Sequence, residues 1–508
     1  MRKGTVFLVG AGPGDPGLLT VRGQELLRQA EVVVYDHLVS PRLLDVCPPS
    51  ARLIYVGKEA EKPSSSQRAI NVRLIREARA GKQVIRLKGG DPLLFGRGGE
   101  EALALRRAGI PFEIVPGVTS VIAVPAYAGI PLTDRTVSSS VAIVTGHEDP
   151  AKPGSRVNWA QLATACDTLV CLMGVSTLPA IAKQLLRAGR AASTPCAVIE
   201  WGTYPRQRTL IATLGTIAAK ARAASIRPPA IIVIGEVVKL RRHLDWFESR
   251  PLFGRRILVT RAIDKAGSLV HQLESLGSTV EQLPAIELAS VKSNGVFRDA
   301  IRDLPNTDWV FFTSPEGISW FARMLKPYRK DVRLLSGCHI GAIGPKTAEA
   351  IEAAGLHVDF VPKQFRQEGI LEEFPGRLLS GKRALLLNAE GSREVLEEGL
   401  RSRGMRVRRV PVYRTVMPKG LQQGVAKLFD APFDAVTVTS ASCVEHLFQA
   451  LQAAGKARLF GSLRFVSIGP ITSAAVRARG GRVMVEAQPS TAEGLVAALV
   501  RRSARRSP

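Results

Sequence analysis

A chain of 508 residues exceeds what one hydrophobic core organises and implies about two to four domains. Hydrophobic residues at 45% and charged residues at 22% suit a globular chain, and no apolar run approaches the roughly 20 residues that span a bilayer, which excludes a membrane-spanning protein. The formal net charge of +26 leaves nucleic acid, a membrane surface or a polyanionic small molecule open as partners.

The amino terminus has only four consecutive apolar residues, Val6 to Val9, before Gly10; too short for a secretion signal, it predicts retention in the cytoplasm. Strand-like runs at Thr5–Val9, Val32–Tyr35, Val84–Leu87 and Val141–Thr145 alternate with Ala/Leu-rich helical patterns, which reads as α/β. Three of the intervening loops are built of small residues: Val9 to Thr20, Arg86 to Glu101 with five glycines and a proline, and Val115 to Ser120. Glycine lets a backbone approach a flat or anionic ligand without a Cβ in the way, and Asp91 adds an acceptor beside it. Together the three loops predict one bound small molecule. Gly12-x-Gly14-x-x-Gly17, with Asp36 about 20 residues beyond, also matches a dinucleotide fingerprint. Against that, Pro13 and Pro16 remove two N–H groups from the loop that would cradle a pyrophosphate.

The six cysteines form no C-x-x-C pair and do not fall at zinc spacing with the seven histidines, so free thiols and no metal are expected. Lys239 to Gly254 is charged, contains Pro251, and precedes a strand-like Arg256 to Arg261, which places a domain boundary there. Beyond it the sequence echoes itself. Asp308 to Ser314 corresponds to Asp434 to Ser440, and Gly341 to Thr347 to Phe465 to Thr472, at offsets of 126 and 125 residues. Two similar lobes follow, with Thr, Ser, Gly and Pro at the strand ends where open parallel sheets bind ligands.

The motifs of the first half, Gly10-Ala-Gly-Pro-Gly-Asp-Pro-Gly-Leu-Leu-Thr20, Val34 to Val39, Val56-Gly-Lys58, Arg86 to Glu101, Pro116 to Ser120, Gly129 to Thr133, Val144 to His147, Leu172 to Val175 and Trp201 to Thr203, resemble those of the uroporphyrinogen-III C-methyltransferases. These belong to the tetrapyrrole methyltransferases, which use S-adenosylmethionine. The second half resembles the uroporphyrinogen-III synthases at Val259 to Arg261, the two Thr-Ser loops, the two Ile-Gly-Pro loops, Leu385 to Arg393 and Val412 to Arg414. The implied architecture is an N-terminal methyltransferase fold of two α/β subdomains, residues 1–245, followed by a two-lobed α/β synthase fold, residues 254–508. One lobe would combine 254–288 with 412–500, and the other would occupy 289–411. Asp134 stands where the first family usually has histidine, and Asn388 where the second often has arginine.

The resemblance implies site residues as well. Pro13, Gly89, Gly90, Asp91, Leu94, Thr119, Ser120, Met173 and Gly202 match positions lining the S-adenosylmethionine site, though Met173 alone would read as a core residue. Asp36 matches the proton acceptor and Lys58 the proton donor; the alternatives are a strand-end capping carboxylate and a solvated lysine. In the second half Tyr413 matches a tyrosine that assists departure of a hydroxyl, with a buried strand-end tyrosine as the alternative. Ser440 and Thr472 are candidate donors to substrate carboxylates or, equally, helix caps. The implied activity closes hydroxymethylbilane to uroporphyrinogen III with inversion of the last ring, then methylates it at C2 and C7 to precorrin-2 for sirohaem or cobalamin synthesis. A methyltransferase of another tetrapyrrole, with a non-catalytic C-terminal binding module, is the alternative. These octacarboxylate substrates give the charge of +26 a partner without nucleic acid or membrane, and the resemblance implies a homodimer through the first half.

Overall fold

The computed structural model describes residues 4–57, 66–147, 156–291, 295–374 and 380–504. The chain divides into two compact units, chiefly at Arg256.

The first unit opens with a parallel sheet of β1 (Val6–Gly10), β2 (Val32–Tyr35), β3 (Arg52–Tyr55), β4 (Val84–Lys88) and β5 (Phe112–Val115), ordered β3-β2-β4-β1-β5. Successive side chains of a strand point to opposite faces, and here both faces are covered, so β1 and β2 are apolar without alternation. Val6, Leu8, Val32 and Val34 pack with Ile70, Leu74 and Leu105 on one side. Phe7, Val9, Val33 and Leu87 pack with Leu26, Leu27 and Leu43 on the other. The covering helices start at side-chain caps: Thr20 accepts from Gly23 N, and Ser66 from Ala69 N.

A second sheet contains β6 (Val141–Thr145), β7 (Thr168–Leu172), β8 (Pro195–Glu200), β9 (Arg208–Thr213) and β10 (Ala230–Ile234), ordered β6-β7-β10-β8-β9 and antiparallel except between β6 and β7. The helix Ser120–Tyr127, which leaves β5, buries Val121 and Val124 against Val170, Leu172, Ala197 and Ile199 of this sheet. It thereby ties the carboxyl edge of the first sheet to the second.

In the second unit β11 (Arg256–Val259) and β12 (Thr279–Gln282) begin one sheet. The chain then builds another from β13 (Glu287–Ala289), β14 (Trp309–Phe312), β15 (His339–Ala342), β16 (Arg383–Ala389) and β17 (Arg406–Val416). It returns to the first of these with β18 (Ala435–Val438), β19 (Arg464–Ser467) and β20 (Arg482–Glu486). The orders are β12-β11-β18-β19-β20 and β13-β17-β16-β14-β15. The sequence echo falls on equivalent units: Ser314 and Ser440 cap the helices after β14 and β18, and Gly344-Pro345 and Gly469-Pro470 open those after β15 and β19. The lobe junctions expected at 288/289 and 411/412 fall inside β13 and β17. These strands pair antiparallel, with Glu287 opposite Val416, so hydrogen bonding carries each strand through the junction. Among the described residues no helix is long and apolar enough to cross a membrane.

Candidate active sites in the two halves

In a parallel sheet the loops at the carboxyl ends of neighbouring strands meet whatever their distance in sequence. Here β1 lies between β4 and β5, and their three loops interlock. Gly12 and Gly90 exchange backbone hydrogen bonds at 3.3 and 2.7 Å, and Ala11 N donates to Lys88 O at 2.7 Å. Asp91 fastens the arrangement: Oδ1 accepts from Leu93 N and Leu94 N at 2.8 and 3.1 Å, and Oδ2 from Gly117 N at 3.1 Å. Its carboxylate therefore shapes the crevice. Gly90 takes a left-handed backbone, φ 68°, and a Cβ on Gly117 would stand 2.3 Å from Gly90 O and 2.6 Å from Gly10 Cα. Gly117→Ala must therefore push backbone against backbone. We expect it to destabilise the first half by about 1–3 kcal/mol, read as a fall in that half's melting temperature.

The other expected crevice residues converge on this point. Gly90 lies beside Thr119 and Ser120, and Thr119 caps the helix Ser120–Tyr127 by accepting from Val121 N. Gly202 packs on Val124 of that helix, and Leu94 packs on the cluster containing Val124 and Leu172. Met173 follows Leu172 and is half exposed, with φ 54°. Pro13 sits in the loop where Asp15, two residues on, is held from three sides: its N–H donates to Thr203 Oγ1, and its carboxylate accepts from Gly17 N and Tyr127 Oη. Between Pro13 and Asp15, Gly14 abuts the Tyr204 ring, so this loop is filled by an aromatic side chain and is not a pyrophosphate cradle. Trp201 and Thr203 also take positive φ, at 50° and 71°. Such strained conformations in non-glycine residues gather where a binding surface is held in shape by its surroundings. The side-chain-free walls, half-exposed Met173 and apolar Leu94 fit a sulfonium nucleoside.

Asp36 follows β2, which pairs with β4, and its loop reaches the crevice through Leu38, which lies against Gly89. Arg86 Nη2 donates to Asp36 Oδ2 at 3.2 Å. Behind it Glu101 Oε1, fully buried, accepts from Arg86 Nε, Lys88 Nζ and Gln67 Nε2, each at 3.1 Å. Burial, and then the neighbouring Arg86 charge, push the Lys88 ammonium below its ordinary pKa. Arg86, Lys88 and Glu101 were missed by sequence reasoning. Their one signal was two charged residues at alternate positions of an otherwise apolar strand, which places both on one face. Lys58, the expected proton donor, lies outside the described residues. Asp134 closes its own turn by accepting from Thr136 N and Oγ1, and the hydroxyl bond draws its carboxyl below the usual range.

In the second half, Tyr413 on β17 is buried, and its hydroxyl lies 3.0 Å from Ser314 Oγ, a partner 99 residues away. Burial raises the phenol's pKa. Trp320 stacks over Tyr413, with ring centroids 6.5 Å apart, and also lines a cavity of about 890 Å³ with Lys265, Glu287, Glu316 and Arg323. Lys265 and Glu316 form an ion pair in it. Ser440 caps the helix Ala441–Ala453 by accepting from Cys443 N at 3.2 Å, and Thr472 is buried in the first turn of the helix Pro470–Ala478. Ser440→Ala should cost about 1 kcal/mol, the usual worth of such a cap, seen as a small fall in the second half's melting temperature with isomer-III formation retained. Asn388 is buried on β16, at a bulge in its pairing with β17.

Residues 5–218 match the family model of the tetrapyrrole (corrin/porphyrin) methylases, and residues 267–497 that of uroporphyrinogen-III synthase HemD. The chain is 39% identical over 499 residues to the porphyrin biosynthesis protein HemD of Ruminiclostridium josui, covering 98% of this chain and 97% of that one. It is 40% identical over 358 residues to uroporphyrinogen-III C-methyltransferase of Bacillus subtilis (strain 168), covering 70% and 73% respectively. Among solved structures, uroporphyrin-III C-methyl transferase from Thermus thermophilus complexed with S-adenyl homocysteine aligns at 44% identity and a TM-score of 0.41, covering 47% of this chain and all of that one. With the glycine crevice in one half, the paired lobes in the other and a relative similar from end to end, the chain belongs to the tetrapyrrole methylases through its first half and to the uroporphyrinogen-III synthases through its second.

Proposed function

We infer that the protein is a bifunctional enzyme of tetrapyrrole biosynthesis. Its second half closes hydroxymethylbilane to uroporphyrinogen III with inversion of the last ring, and its first half methylates that product at C2 and C7 to precorrin-2. The observation that carries this reading is the convergence of the β1, β4 and β5 loops into a backbone-walled crevice, with Asp36 at the same sheet edge, in a chain matched along its whole length by a porphyrin biosynthesis protein. The methyltransferase would occupy residues 1–245 and the synthase 254–508, with the lobes of the latter meeting at the β13–β17 pair.

S-adenosylmethionine, when bound, supplies an electrophilic methyl group and leaves as S-adenosylhomocysteine. Pro13, Gly89, Gly90, Asp91, Thr119, Ser120 and Gly202 would shape its crevice, and Leu94 and Met173 would offer apolar contact that excludes water. The pyrrole carbon that accepts the methyl becomes part of a cationic ring and must lose a proton. Asp36 would take it and Lys58 would donate elsewhere on the substrate, each acting through position and charge. In the synthase half Tyr413, held by Ser314, would assist departure of the hydroxyl as water. Since hydroxymethylbilane also cyclises unaided, to the wrong isomer, the lobes contribute mainly by folding the chain into the inverted geometry. Thr472 and Ser440, buried or engaged in capping, would add little individually.

The decisive assay gives the intact chain hydroxymethylbilane and methyl-labelled S-adenosylmethionine, with the product identified by mass and isomer. A doubly methylated type-III product is expected. Methylation of supplied uroporphyrinogen III without turnover of hydroxymethylbilane would reduce the second half to a binding module. We place the enzyme in the cytoplasm, as a homodimer through its methyltransferase half, without nucleic acid or membrane as partner; sedimentation of the intact chain tests the dimer.

A further inference from the structure

Burying a guanidinium, an ammonium and a carboxylate together is no economical way to stabilise a sheet, because apolar side chains of similar size generally do as well. The remaining residues of β4, Val84, Ile85 and Leu87, are apolar and wholly buried. Arg86 nevertheless commits its nitrogens in three directions: Nε to Glu101 Oε1 at 3.1 Å, Nη1 to the carbonyls of Leu87 and Val34 at 3.2 and 3.4 Å, and Nη2 to Asp36 Oδ2 at 3.2 Å. A fold-stabilising pair would need only the first. Lys88 and Gln67 bind the same oxygen of Glu101, so the carboxylate that anchors Arg86 is itself fixed. Asp36 Oδ1 is buried and has no hydrogen-bond partner among the described residues. One oxygen of Asp36 is thus tied down from the interior, and the other is uncommitted.

We propose that Arg86 is a positioning residue for Asp36: anchored by Glu101, its guanidinium binds Oδ2 and so fixes the orientation of the carboxylate that takes the proton from the methylated ring. This rests on the reading of Asp36 as the proton acceptor. Arg86 acts through the carboxylate and touches neither substrate nor cofactor. Lys88 balances the charge of Glu101, so that Arg86 remains available as the counter-ion of Asp36.

The test is a double-mutant cycle on methyl transfer in the intact protein, with Arg86→Gln, Asp36→Asn and the double variant compared in kcat. Calorimetry with S-adenosylhomocysteine verifies that each variant retains the folded crevice. Arg86→Gln is expected to lower kcat by roughly 10²-fold, the scale of a misplaced catalytic group, with S-adenosylhomocysteine affinity unchanged. In the Asp36→Asn background it should cost nothing further. Losses that multiply in the double variant, or an Arg86→Gln enzyme with normal kcat while Asp36→Asn is impaired, would overturn the positioning role and leave the reading of Asp36 standing. Full activity in Asp36→Asn would overturn that reading and the proposal with it. Should Arg86→Gln fail to fold, Arg86→Lys keeps the buried charge but cannot span two carboxylates, and the same cycle applies with the same outcomes.

Discussion

Replacing Asp36 by asparagine should slow methylation of uroporphyrinogen III by roughly 10²–10⁴-fold, the span associated with loss of a general base. The substitution is nearly isosteric and leaves an oxygen to accept from Arg86 Nη2, so the buried cluster behind it need not rearrange. What is lost is the ability to carry a proton away from the cationic ring. Affinity for S-adenosylhomocysteine should be unchanged, because the crevice is built from the loops after β1, β4 and β5 and held by Asp91, whereas Asp36 follows β2. Single-turnover methylation with calorimetry on the same preparation separates the two quantities. Wild-type rates in a folded variant would remove Asp36 from the chemistry.

Glu101→Ala should be among the most damaging single changes to stability, at about 3–5 kcal/mol, because it strands two buried cations that share this carboxylate. Part of the cost can be relieved by deprotonating Lys88, whose pKa is already depressed by burial. The direction follows from proton linkage. With the folded-state pKa below the unfolded value of about 10.4, the unfolded chain binds more protons at intermediate pH, so stability rises with pH until that value is passed. The deficit of the variant should therefore shrink as pH is raised toward about 10. The two halves need not unfold together, so the relevant melting transition is the one that S-adenosylhomocysteine shifts upward. A variant as stable as the parent near neutral pH would contradict the account of this cluster.

Much of the crevice was legible because its requirements are local. Gly90 needs a left-handed backbone and Gly117 needs no Cβ, and both needs are written directly in residue type. The serine caps at Ser314 and Ser440 and the Gly-Pro helix starts were visible as an echo for the same reason. Asp91 was legible as important, but its role changed. Sequence suggested an acceptor facing a ligand, and folding turned all three of its hydrogen bonds onto the loops themselves.

The amino-acid sequence by itself determined the α/β alternation, the two-part organisation, the crevice loops and the family. Each of these depends on periodicity, chain punctuation or short motifs, which survive without knowledge of any distant contact. Tertiary structure alone decided that Arg86 and Lys88 turn inward onto Glu101, that Tyr413 meets Ser314 across 99 residues, and that β13 and β17 run as paired strands through the lobe junctions. The physical reason is common to all three. A charged or hydroxylated side chain, like the backbone edge of a strand, specifies only that it needs a partner, and which partner it finds depends on strand order and helix packing that no local pattern encodes.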